Sequence, residues 1–162
     1  MSTKYVIAND TEINSKNVSE WLKTFINNVR PTLKELDSYY EGQDDLGKIQ
    51  TDSRREGNTI HVNLAYMIVN EMVSYCFGKP MTYDFKDEYS EEKYIRDLQF
   101  ENNEDTENIE IEKDCSKYGL AYEFVGVNED KKIFYKRLNP LNTFKVISDD
   151  ILPKDICVIT YS

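Results

Sequence analysis

The chain has 162 residues, 40% hydrophobic and 31% charged, with six glycines and four prolines, which excludes collagen-like, low-complexity and wholly disordered chains and fits one modest domain. Thirty Asp and Glu against twenty Lys and Arg leave a net charge of −10; this argues against a dedicated grip on nucleic acid or on anionic membranes, both of which rely on Lys and Arg. The opening residues hold no stretch apolar enough for a signal peptide, and no window reaches the ~18 to 20 apolar residues that cross a bilayer.

Three cysteines (Cys76, Cys115 and Cys157) lie far apart with no CxxC spacing. An odd, scattered set predicts reduced thiols rather than a disulfide framework or zinc site, and with it a soluble intracellular protein.

Residues 1–13 read as a polar, flexible lead-in. Asn17-Val-Ser-Glu20 has capping-box spacing, and Val18, Leu22, Phe25, Val29, Leu33, Leu36 and Tyr40 trace one face of a helix over about 17–41. Pro31 is expected to kink or split that helix, and Gly42 to stop it. The polar segment 44–58 reads as an exposed loop carrying a possible basic cluster, Lys48, Arg54 and Arg55. A second helix is predicted over about 62–77. It is apolar around most of its circumference, which marks a helix central in its domain. Gly78-Lys79-Pro80 ends it through a left-handed cap followed by proline, and residues 81–85 alternate like a short strand.

The window 84–114 holds 13 acidic and 4 basic residues, a net of −9. Two amphipathic helices with solvated outer faces are expected, over about 91–101 and 105–118. Ser90 and Asp105 or Thr106 are the expected caps, and Gly119 the stop. The alternative is an acidic patch that selects a basic partner. Beyond it the period changes to that of strands, over 120–127, 132–138, 143–147 and 156–161. Asn128-Glu-Asp-Lys131, Asn139-Pro140 and a turn around Pro153 separate them. The fold expected is therefore α+β, with N-terminal helices packed on a small, mainly antiparallel β-layer over about 120–161. The domain runs from 14 to 162, and its last residues still read as strand, as if the chain were truncated there.

Catalytic patterns are scarce. The single histidine, His61, has no second histidine to work with, and serine elbows and phosphate-binding glycine loops are missing. Glu91-Glu-Lys93 and Asp130-Lys-Lys132 match the acid-x-Lys triplet of magnesium nucleases. They fall in a helix start and a turn, and a chain this charged produces such triplets by chance. No catalytic residue, metal ligand or cofactor is assigned. Twelve tyrosines suit packed interfaces, since tyrosine buries area while keeping a polar end.

Several strings, in order, resemble one family: Leu36-Asp-Ser-Tyr-Tyr-Glu-Gly42, Asn63-Leu-Ala-Tyr-Met-Ile-Val69, Tyr75-Cys-Phe-Gly-Lys-Pro-Met-Thr-Tyr83, Asn102-Asn103, Tyr118-Gly-Leu-Ala-Tyr-Glu-Phe124 and Arg137-Leu-Asn-Pro-Leu-Asn-Thr-Phe144. Together, over about residues 17–161, they resemble the N-terminal wing region of tailed-bacteriophage portal proteins from phages of Gram-positive bacteria. The motif positions carried over are Tyr39, Tyr40, Gly42, Asn63, Gly78, Lys79, Pro80, Gly119, Asn139 and Pro140. Asn139 departs from the acidic residue expected before that proline.

The resemblance implies a structural, non-enzymatic subunit of the ring at one capsid vertex. Its partners would be other portal subunits, the terminase motor, capsid and scaffold proteins, and duplex DNA passing through the full assembly. In isolation the chain would be monomeric or weakly associating, in the host cytoplasm. A stand-alone interaction module is the alternative: an inhibitor of portal assembly, an inhibitor of a host protein, or a trigger of a host defence sensor.

Overall fold

A computed structural model describes residues 4–9, 11–43, 62–84 and 89–162. The Asn14 side chain caps the first helix by accepting from the Asn17 N–H at 2.9 Å, so α1 spans Ser15–Thr24 and its cap lies three residues before the one read from sequence. Asn17 is instead buried within the first turn, donating to the Glu12 carbonyl. A π turn, Phe25–Val29, follows, and α2 continues over Arg30–Tyr40. Pro31 explains that turn. It has no N–H to give, and its ring would meet the preceding turn of a regular helix. The ladder widens just before it, where the Arg30 N–H reaches five residues back to the Phe25 carbonyl. Gly42, at φ 74°, then turns the chain away.

Helices α3 (Leu64–Phe77), α4 (Tyr89–Asn102) and α5 (Glu104–Tyr118) follow. Among the described residues five strands complete the fold: β1 (Val6–Ala8), β2 (Tyr122–Val127), β3 (Ile133–Leu138), β4 (Thr143–Ser148) and β5 (Asp155–Thr160). The architecture is α+β, with most helices before most strands. The strands do not form one layer. Strand β4 is central in the sheet β1-β4-β5, parallel to β1 and antiparallel to β5, while β2 and β3 form a separate antiparallel hairpin. The break is at Asn139-Pro140, where the Asn139 side chain accepts from the Leu141 N–H at 2.9 Å and Pro140 is buried. The turn re-aims the chain between sheets.

The core lies between the first helix and the three-stranded sheet. Phe25 stacks on Phe144 with centroids 4.6 Å apart, and Tyr161 meets Phe25 edge-on. Trp21, Val29, Leu33, Val6, Ala8 and Val146 close around them.

Four expectations are corrected. Val6–Ala8 is a core strand rather than part of a flexible lead-in, because alternate residues Val6 and Ala8 face inward beside β4. Helix α3 is not central: it packs on α2 and α5 along one side, burying Val69 and Val73, while much of its apolar surface faces outward. Of the expected strand over 81–85, residues 81–84 are irregular and position 85 lies outside the described residues; the Tyr83 hydroxyl instead donates to Glu104. Asp105 and Thr106 do not cap α5. They lie in its first turn, after Asn103 at φ 53° makes the sharp α4–α5 corner.

Candidate assembly surface

The family-motif residues gather at joints between elements. At the first joint, Asn63 caps α3 by accepting from the Tyr66 N–H at 2.9 Å and donates its amide to the Tyr40 carbonyl at 2.7 Å. One side chain thus satisfies the start of α3 and the end of α2. The Tyr40 and Tyr66 rings pack with centroids 5.3 Å apart, and the Lys117 ammonium sits 4.5 Å from the Tyr40 ring centre. Lys117 pairs with Asp37 at 2.6 Å, and the Tyr118 hydroxyl donates to the same carboxylate at 2.7 Å. Burial alone would raise the Asp37 carboxyl, but the hydrogen bonds from Lys117 and Tyr118 and the lysine charge hold it below its ordinary value. Burial and that same bond push the Tyr118 phenol up. Tyr39 stands half exposed beside this joint.

The second joint ties α4 and α5 to the hairpin. Asn102 accepts from the Tyr135 N–H at 3.2 Å and donates to the carbonyls of Leu98 and Ile133. Asp114, only 1% exposed, takes a two-pronged bond from the Arg137 guanidinium, at 2.5 and 2.7 Å. Glu107, also buried, accepts from Lys136 and from the Arg137 N–H. For Glu107 too, burial would raise the carboxyl, but these donors and the two positive charges hold it below its ordinary value. Tyr135 is pushed up to about 12 by burial and by Glu104, so its phenol stays protonated at neutral pH. The acidic window is therefore partly structural. Sequence reading missed Asp114 and Glu107 because a one-dimensional charge run gives no sign of the cations across the fold.

The other motif positions are backbone devices. Gly119 has φ 67°, and a Cβ there would run into the Lys4 ammonium, which donates to the Gly119 carbonyl. Gly78 is right-handed rather than the expected left-handed cap; what it requires is room, since a Cβ would meet the Ser74 carbonyl. Lys79 and Pro80 follow it on the surface. Lys48, Arg54, Arg55 and His61 lie outside the described residues. Neither acid-x-Lys triplet lies on a strand: Glu91–Lys93 is in α4 and Asp130–Lys132 in the β2–β3 turn. Among the described residues no cluster of His, Cys, Asp and Glu is arranged to hold a metal ion, and no helix is long and apolar enough to cross a membrane.

Some apolar surface also faces outward. On α3, Leu64, Met67, Ile68, Met72 and Tyr75 are exposed, and on the hairpin Phe124, Val125 and Val127 are. Residues 19–162 match the family model for phage portal proteins of the SPP1 Gp6-like type. The chain belongs to that family, and its role is structural. Among curated proteins, none matches the chain significantly.

Proposed function

We propose that this chain is the wing-like part of a portal subunit, in a single domain over residues 14–162, and that it builds the ring at one capsid vertex through which double-stranded DNA is packaged and ejected. The family match over residues 19–162 carries this reading. Its partners are neighbouring portal subunits and capsid proteins, with scaffold proteins during assembly and the terminase motor during packaging. DNA passes through the completed channel without being held by this region. The domain works mechanically, with no catalytic step of its own. Tyr40, Asn63, Gly119 and Asn139-Pro140 serve by fixing the joints that set its shape. The assembled protein resides in the virion, and the unassembled chain in the host cytoplasm.

The test is deletion of the gene in the phage that carries it, with mass spectrometry of purified particles. The expected result is peptides from residues 19–162 in wild-type particles and heads empty of DNA after deletion. DNA-filled heads lacking this product would overturn the proposal. If, in addition, the product blocked assembly of another portal chain, the stand-alone interaction module would take its place.

A further inference from the structure

Strand β5 is a sheet edge without the usual guards. In the sheet β1-β4-β5 it has a described strand on one side only. The opposite edge, β1, is three residues long, too short to template a neighbour. Strand β5 has six residues, and from Ile156 to Thr160 it holds no charge and no proline. Natural edge strands commonly carry Lys or Pro, which keep other chains from pairing there. The register identifies the free groups. The Tyr161 N–H donates to the Asn142 carbonyl at 3.1 Å. Hydrogen-bonded pairs alternate along an antiparallel ladder, so Ile159 and Cys157 also turn their backbone polar groups toward Phe144 and Val146. Val158 and Thr160 turn theirs away from β4, where no described residue bonds them.

A cavity adjoins this edge. Its volume is about 460 Å³, and Tyr5, Leu120, Ala121, Tyr122, Ile156 and Val158 are among its walls. Val158, 53% exposed, sits opposite Lys145 on β4, and the Lys145 ammonium lies 5.6 Å from the Tyr5 ring centre. Opposed residues on neighbouring strands share a face of the sheet. A residue paired with Val158 from the open side therefore stands over this cavity.

We propose that β5 docks an extended segment of a different protein as a further strand of the sheet, with a large apolar residue opposite Val158 and a net positive charge. The site goes beyond the portal reading and does not depend on it. Backbone donors and acceptors alternating along an open edge are matched by another extended backbone, and a neighbouring cavity selects the side chain that enters. Walls that are mostly aromatic and aliphatic choose an apolar one. Charge chooses the rest of the segment. The chain carries −10, and Asp149 and Asp150 stand exposed in the turn that leads into β5, so a basic segment is attracted. A second copy brings −10 of its own and is repelled.

The test selects binders to the immobilised chain from a displayed library of random peptides about twelve residues long, enough for a strand. The best synthetic peptide is then followed by fluorescence anisotropy and amide hydrogen exchange. The expected peptides are basic, free of proline and apolar at alternate positions, and bind at about 10 µM. Exchange of the Val158 and Thr160 amides should slow by about tenfold or more, while Ile159 is protected from the start. N-methylating the peptide at the alternate residues facing β5 should weaken binding by about tenfold, and at the intervening residues leave it unchanged. Val158→Pro removes an N–H that β4 does not use, so it should abolish binding with the melting temperature kept; the N-methylated peptides decide the matter if that variant unfolds. Met72→Glu on α3 should bind as the parent does. Failure to enrich any peptide would overturn the proposal, as would equal effects from both methylated sets or protection confined to another part of the chain. So would dimers of the free chain whose Val158 and Thr160 amides are already protected, since the occupant would then be a second copy.

Discussion

Asp114 and Glu107 belong to the most acidic stretch of the chain, yet both are buried, Asp114 almost completely. A buried carboxylate is tolerated only when its partners are already in place. Arg137→Ala should therefore destabilise the fold by about 3 kcal/mol, because it strands the Asp114 charge in the interior. Replacing the pair together, Asp114→Leu with Arg137→Met, should cost distinctly less than either single change, and urea titration of the three variants measures this. Acid should loosen the same joints. The Asp37 and Glu107 carboxyls lie below their ordinary values of 3.8 and 4.5 in the folded protein. The stability they contribute is full above those ordinary values and is lost as pH falls from them through the lower folded-state values. The urea midpoint should fall between about pH 6 and pH 3, and the double variant Asp37→Asn/Glu107→Gln should start lower and change less over that range. An equally steep fall in the double variant would contradict the assignment.

At the scale of elements, connections decide the architecture more than propensities do. The helix from Ser15 to Tyr40 stays in register across Pro31 only because a π turn absorbs the missing donor. The sheets separate because Asn139 and Pro140 form a side-chain-closed turn. An aspartate at position 139 would offer the same acceptor oxygen, so Asn139→Asp should keep this turn closed. Gly119 releases α5 into β2 through a left-handed conformation that costs other residues about 1 to 2 kcal/mol. Gly119→Ala should lose about that much in thermal or urea unfolding, and Gly119→Asn less, since asparagine tolerates this region. Equal losses for both would place the cost in crowding against Lys4 instead.

The whole molecule is acidic, and this bears on DNA. A charge of −10 gives few phosphate contacts to release counterions, so the isolated chain should bind duplex DNA more weakly than about 1 µM at roughly 0.15 M salt. Fluorescence anisotropy checks it, and submicromolar affinity at that salt would contradict it. Weak affinity suits the proposed place beside a channel past which DNA slides.

The sequence by itself determined the α+β class, the phase of the first helix from Val18 to Tyr40, the four C-terminal strands and most chain stops. These rest on period and on Gly, Pro and Asn chemistry, which act over a few neighbouring residues. Its ordered motifs also carried the resemblance to portal proteins, which the match over residues 19–162 supports. Only the tertiary structure decided that Val6–Ala8 joins the core, since a three-residue strand has too little periodic signal to be seen alone and is stabilised by β4, far away in sequence. It also decided which acids are buried, because Arg137 and Lys136 reach Asp114 and Glu107 across the fold. For α3, apolar residues around most of a helix announce that both sides seek cover. Which side the domain covers depends on where α2 and α5 pack, and that is a property of the folded chain.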